Sequence, residues 1–238
     1  MDDRLDDRAA PDEAAEQART RDGSRPAIRR LVRHQERRFH LADARTLLGL
    51  LRGRGAPLEY VPGRPASDVT TVYLDTPFGT WSAGRTRHKL RVKNYDDPTQ
   101  SWFEVKHRRG VQVDKRRQPV APSELPLVLV GTQRGPLLRR LVGRAPLLPL
   151  VAVRYRRIAF EWNGLRVTVD RDLRFHAVGT GTPWTVGACI GRRRGYVVEV
   201  KCDGPPPEWL RAALCGAHTQ KFSKSRWALA ARSLLWRI

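Results

Sequence analysis

Apolar and polar positions alternate with a period of two through most of the chain. TTVYLDT (70–76), HKLRVKNY (88–95), SWFEVKHR (101–108), GVQVDKRRQPV (110–120), VAVRYRRIAFEW (151–162), LRVTVDRDLRF (165–175) and GYVVEVKC (195–202) all show it, with β-branched and aromatic residues among the apolar positions. VRHQERRFHL (32–41) alternates around Glu36 and Arg38 and predicts a first strand. The turns between strands are legible too: YDDPTQS, HRRGV as a tight hairpin, and Asn163-Gly164 as a two-residue hairpin loop. Helical spacing is confined to four places. ADARTLLGLLRG (42–53) carries leucines three and four apart before a glycine stop, a second helix is expected near 135–142, PPPEWLRAALC (205–215) starts one after prolines, and SRWALAARSLLWRI (225–238) closes the chain as another.

The alternation is unusual in its chemistry. One face collects Glu36/Arg38, Lys89/Arg91/Lys93, Glu104/Lys106, Lys115/Arg117, Arg154/Arg156, Asp170/Asp172 and Glu199/Lys201, while the other carries Val, Leu, Phe and Trp. Ordinary antiparallel sheets put the apolar face on the core and a mixed polar face in water. Helices such as ALAARSLLW need an apolar surface to cover, and the outer face of the strands supplies one. The pattern therefore predicts a mainly β (α+β) fold: a closed antiparallel barrel, apolar outside beneath helices and charged inside. Such an interior must hold water, anions or metal ions, because unpaired charges cannot be left dry. FEVKHRRG (103–110) and VEVKCDG (198–204) each set a carboxylate and an ammonium on that face.

Charge narrows the partner. The 238 residues carry a formal charge of +21 and a pI near 11.2, which calls for a polyanion. Residues 1–26 hold eight acids against five arginines with no apolar periodicity, so they read as a disordered tail ahead of one folded domain over 27–238. Only seven of the 45 basic residues are lysine: Lys89, Lys93, Lys106, Lys115, Lys201, Lys221 and Lys224. All lie in strand-like segments or in KFSKS, where a compact ammonium differs most from a rigid guanidinium fork. Cys189, Cys202 and Cys215 are widely spaced with no CxxC, which predicts neither a zinc site nor a disulfide framework. LPLVLVG (125–131) and APLLPLVAV (145–153) are too short to cross a bilayer, and the acidic N-terminus is no signal peptide, so a cytoplasmic protein is expected.

QERRF, TTVYLDT, KLRVKNY, FEVKHR, VDKRR, VRYRRIAF, VTVDRDLRF, VVEVK and KFSKS, in that order, resemble the VTC polyphosphate polymerase domain of the triphosphate tunnel metalloenzyme group. The resemblance spans about Leu31 to Trp227. It implies an eight-stranded antiparallel tunnel, a divalent metal (manganese or magnesium, manganese favoured), and transfer of the ATP γ-phosphate onto a growing polyphosphate chain. By motif position it implies that Arg91, Lys93, Lys106 and Lys115 are basic phosphate ligands, Glu199 a metal-binding carboxylate, and Lys221, Ser223 and Lys224 a phosphate-binding segment. Arg38 stands where relatives commonly have lysine, and Lys93 replaces the second arginine of the usual RxR strand; both keep the charge and change its geometry.

Phosphoryl transfer needs alignment, charge neutralisation and a metal rather than a nucleophilic triad. Arg91, Lys93, Lys106, Lys115 and Lys224 are the expected catalytic cations. Arg38, Lys89, Arg117, Arg154, Arg156, Lys201, Lys221 and Ser223 are the expected substrate-binding set, and Glu199, Glu104 and Asp172 the expected metal ligands. ATP and inorganic polyphosphate are the expected partners, and any membrane partner would be a separate protein. Two rivals stay open. One is a tunnel triphosphatase or cyclase, although the first strand lacks the paired-glutamate ExExK pattern. The other is a non-catalytic polyanion binder; no helix-turn-helix, RNP or finger signature points to specific nucleic-acid recognition.

Overall fold

The structure, a computed structural model, describes residues 29–33, 35–77, 88–96, 101–109, 112–131, 139, 145–179, 186–219 and 223–235. The expected tail, most of the helix expected at 135–142, and Lys221 lie outside the described residues. Among the described residues eleven strands form one antiparallel sheet: β1 (Arg29–Arg33), β2 (Gln35–Leu41), β3 (Ser67–Asp75), β4 (His88–Tyr95), β5 (Ser101–Arg109), β6 (Gln112–Val120), β7 (Leu148–Trp162), β8 (Leu165–Val178), β9 (Val186–Arg193), β10 (Tyr196–Cys202) and β11 (His218–Thr219). Among the described residues the helices are α1 (Arg45–Arg52), α2 (Leu125–Val130), α3 (Glu208–Ala213) and α4 (Lys224–Leu235).

The ladders run β1-β6-β5-β4-β3-β7-β8-β10-β2-β11, with β9 added to β8, so the hydrogen-bonded path is open rather than the closed eight-stranded barrel expected. The reason lies in the first strand, which was expected to be one piece. It is two: β1 pairs with β6, β2 pairs with β10, and a single residue separates them. The two ends of the path are thus carried by one stretch of chain. The sheet also curls, because Lys106 on β5 reaches Glu36 on β2 at 2.7 and 2.8 Å although the two strands lie far apart in the ladder order.

Three apolar clusters flank this sheet. Leu47 and Leu51, four apart on α1, and Leu210 of α3 cover Phe160, Val167, Val169, Val198 and Val200. Leu125, Val128 and Leu129 of α2 cover Val72, Leu74, Leu90, Val92, Phe103 and Val105. Burial of a side chain such as Phe103 or Phe160, both almost wholly inaccessible, contributes ~2 kcal/mol each. α2 comes from a segment expected only to be apolar. Pro126 in its first turn suits a helix start, and Gly131 at φ 94° ends it by donating its N–H to the Leu127 carbonyl.

The third cluster corrects the expected position of the C-terminal helix. Ala228 of α4 packs with Tyr155 and Val197, which share their strand face with Arg157 and Glu199. α4 therefore covers the apolar end of the charged face instead of the outside. β9 was not anticipated because Gly187 and Gly191 interrupt its alternation. Gly191 leaves room for the helix: a Cβ there would stand 3.3 Å from the Ala231 methyl. Gly195, before β10, has φ 80°, and a Cβ would meet the Leu41 carbonyl oxygen at 2.5 Å, so only glycine lets β10 start beside β2.

Candidate functional site

Period-two geometry brings charged side chains from seven strands onto the concave face, and ladder register sets them in rungs. Arg91, Glu104 and Arg117 lie directly opposite one another across β4, β5 and β6. Lys89, Lys106 and Lys115 form the next such rung. Across β2, β10 and β8 the rung is Arg38, Glu199 and Thr168. Three carboxylate-centred groups result.

Glu104, inaccessible to solvent, accepts from Arg91 Nε at 2.7 Å, and the Lys115 ammonium stands 3.5 Å from its other oxygen. Burial alone would push its pKa up; Arg91, Lys115 and Lys93 outweigh that and hold it well below the usual carboxylate range. Glu36 and Glu199 are joined by Arg38, which bonds Glu36 and donates Nε to Glu199 at 3.0 Å. Lys106 completes Glu36, and Lys201 lies 3.2 Å from Glu199. Here too burial opposes ionisation, and Lys201, Arg38 and Lys106 hold Glu199 well below its ordinary value. Asp170 takes a bidentate pair from Arg157, at 2.6 and 2.8 Å, and a bond from Lys224 at the start of α4.

Two buried cations on this face, Lys93 and Arg117, are held differently. Lys93 is buried, bonds the Tyr95 hydroxyl and lies over the Tyr95 ring. Burial first, and then Arg157, depress its pKa well below 10.5, with Arg91 and Lys115 adding to the effect. Arg117, 5 % exposed, stacks 4.6 Å from the Trp102 ring centroid, and its Nε and Nη2 have no hydrogen-bond partner. A buried guanidinium with two idle donors is expensive unless an acceptor arrives. Lys89, more exposed, donates to Ser223 at 2.7 Å and Ser225 at 3.1 Å, tying β4 to the N-terminus of α4.

Of the residues singled out from sequence, Arg38, Arg91, Lys93, Lys106, Lys115, Arg117, Lys201, Lys224, Glu104 and Glu199 share this face, with Lys89 and Ser223 beside α4. Lys221 lies outside the described residues. Three lie off this face. Arg154 and Arg156 are exposed on the opposite face, and Tyr155 and Arg157 point inward instead. The signal was available: Ile158 and Phe160 share the parity of Arg154 and Arg156, and both join the outer apolar cluster. Asp172 is also outside. Between Arg154 and Arg156 the β7–β8 register shifts by one extra β8 residue, and Asp172, at φ 55°, occupies that bulge with its side chain 65 % exposed. The bulge flips the face, so Asp170 is the inward carboxylate. Glu36, Arg157, Arg166 and Asp170 complete the face and had been given no role.

Among the described residues no three His, Cys, Asp or Glu side chains converge, so Glu199, Glu104 and Asp172 do not form a ligand set. A hard divalent cation held by one or two carboxylates together with substrate phosphates suits Glu199 and Glu36, whose oxygens are the donors such ions take.

The family profile of the VTC domain matches residues 31–233. No curated protein sequence matches the chain. Among solved structures, a Hippeastrum protein proposed as an adenylyl cyclase and described as revealing a dominant triphosphatase activity is 17% identical, with a TM-score of 0.54, covering 82% of this chain and 94% of its own. An adenylate cyclase candidate from Bacillus halodurans is 13% identical, with a TM-score of 0.52, covering 83% of this chain and 97% of its own. At these identities the likeness is one of fold.

Proposed function

Since the chain belongs to the VTC domain family, we propose that its charged face lines a tunnel that binds ATP and inorganic polyphosphate and transfers the ATP γ-phosphate onto the polyphosphate end. The observation that carries this reading is Arg117, buried with two unpartnered guanidinium donors among cations that the interior carboxylates do not all neutralise. A phosphate chain offers acceptors to several such donors at once. In this reading β1 and β2 act as one bent strand, and the tunnel wall closes through it.

The transfer forms a bond between a terminal polyphosphate oxygen and the γ-phosphorus and breaks the γ-phosphorus–oxygen bond to the β-phosphate, releasing ADP. No side chain need become covalently attached. Arg91, Arg117, Lys93, Lys106 and Lys115 would hold the phosphate oxygens and offset the charge on the transferred group. Lys224, Lys89 and Ser223 would hold the chain near α4. Glu104 and Asp170 would fix their cations in place. Glu199 and Glu36 would hold a divalent ion, magnesium or manganese. When bound, that ion would supply neutralisation of the phosphate charge. We place the protein in the cytoplasm, where free cysteines such as Cys189, Cys202 and Cys215 persist. Among the described residues no helix is long and apolar enough to cross a membrane.

The test is to incubate purified full-length protein with ATP and manganese and resolve products by chain length on a gel beside a free-phosphate assay. Lengthening chains are expected. Stoichiometric free phosphate without chains would replace polymerase by triphosphatase. Glu199→Gln is expected to abolish metal-dependent turnover while tripolyphosphate binding persists; an unchanged metal requirement would remove Glu199 from the metal role.

A further inference from the structure

The arginines that do not face the interior form an arrangement of their own. Arg154 on β7 lies directly opposite Arg174 on β8, and Arg174 directly opposite Arg192 on β9. All three are exposed, on the sheet face opposite α4. Neighbouring strands stand about 4.8 Å apart, so three guanidinium-bearing positions line up across the sheet within about 10 Å. Arg156 and Arg171 form a second rung one step along β7 and β8. Asp172 stands 3.7 Å from Arg171, whereas among the described residues Arg154, Arg174 and Arg192 have no carboxylate partner.

Like charges placed directly opposite one another in a sheet destabilise it. A row of three repeats that cost at two consecutive strand pairs, and among the described residues no carboxylate relieves it. A linear polyanion with closely repeated charges would relieve it along the whole row. The row is narrow, and the exposed large apolar residues, Leu50, Leu127, Val130 and Leu148, are all aliphatic. Sequence-tolerant binding of single-stranded nucleic acid relies on aromatic stacking platforms, and exposed aromatic side chains are lacking among the described residues. A membrane surface calls for a broad basic area, whereas in the second rung Asp68 of β3 lies opposite Arg156 and Asp172 stands beside Arg171, which confines the unbalanced charge to one row.

We propose that Arg154, Arg174 and Arg192 form an external binding track for inorganic polyphosphate, engaged only by chains long enough to extend beyond the interior site. The proposal rests on the tunnel reading for its ligand class, but the track is a separate surface on the opposite face of the same strands. It would retain a long chain between additions while leaving short substrates unaffected.

The experiment compares the full chain with an Arg154→Thr/Arg174→Thr/Arg192→Thr variant in titrations with long-chain polyphosphate and with tripolyphosphate at about 0.15 M ionic strength. Threonine suits an exposed strand position, and a thermal melt without ligand reports whether the variant folds. The expected result is a roughly tenfold loss of long-chain affinity with tripolyphosphate binding unchanged. The single variants give intermediate losses and keep the test valid if the triple variant is unstable. Equal long-chain affinity in wild type and variants overturns the proposal. Loss of binding to phosphatidylserine vesicles or to a single-stranded oligonucleotide, with polyphosphate binding retained, also overturns it and reassigns the row. If wild-type protein binds no tripolyphosphate yet the variants still lose long-chain affinity, the interior reading fails and the external track stands.

Discussion

On β7 and β8 two arginine positions, neighbours in sequence, live in different worlds. Arg157 faces the interior, pairs in register with Asp170 and grips it bidentately, with almost no solvent access. Arg156, the preceding residue, faces out, opposite Arg171, beside an exposed Asp172. The residue types are the same on both sides. The difference is solvent: a buried carboxylate must be ion-paired, and breaking its pair leaves uncompensated charge, whereas an exposed pair is screened and worth little. The face a charge occupies, more than its identity, decides whether it supports the fold, waits for a ligand or merely meets water.

Neutralising each aspartate in turn should give the largest difference between the two faces. Asp170→Asn leaves Arg157 and Lys224 short of their counter-charge and should cost ~3–5 kcal/mol in denaturant unfolding. Asp172→Asn should stay within about 0.5 kcal/mol. Similar losses for the two would mean that the bulge has been misplaced. The same contrast has an acid limb. The folded pKa of Asp170 lies below 3.8, where burial pushes it up but Arg157 and Lys224 pull it further down. Its contribution is therefore full above that value and disappears as pH falls through the lower folded one.

Ligand binding sharpens the contrast next. Arg117→Met removes idle buried donors and should weaken tripolyphosphate binding about 10- to 100-fold, the worth of one or two charge-assisted hydrogen bonds. Arg156→Thr should weaken it less than about twofold at physiological ionic strength. Equal effects in calorimetric titration would mean that charge acts as a diffuse coat.

The smallest effect concerns protons. Burial, reinforced by Arg157, lowers the pKa of Lys93, so between that depressed value and 10.5 the folded chain binds fewer protons than the unfolded one. Stability should rise with pH across that window. A phosphate chain would restore the ammonium, so tripolyphosphate binding should take up a fraction of a proton, visible as buffer-dependent heat. Lys93→Met should erase both signatures; persistence of either would move the titration to another group.

Period-two alternation already marked seven long strands and the inward positions on β4, β5, β6 and β10, where Lys, Arg and Glu recur without interruption. It failed where its assumptions did. Arg156-Arg157 puts two cations side by side, so charge alone could not choose the face of β7, and only the outward Ile158 and Phe160 could. The bulge at Asp172 changes parity in mid-strand, and no pattern of polar residues announces one residue at φ 55°. β9 was hidden by glycines whose role, room for α4, belongs to a helix far along the chain. Glu36 was visible on the charged face, but its bond to Lys106 joins strands distant in ladder order.

What the amino-acid sequence by itself determined was local: the pleat of each strand, the Asn163-Gly164 turn, the leucine stripe of α1, and a cation excess that demands an anionic partner. These follow from forces acting within a few residues, namely side-chain alternation, backbone freedom and charge. Only packing across the whole molecule brings Lys106 to Glu36, sets α4 over the apolar end of the charged face, and pairs Asp170 with Arg157 while Arg117 keeps two donors idle. Those outcomes depend on the curl of the sheet and on desolvation, and both are properties of distances between residues far apart in the chain.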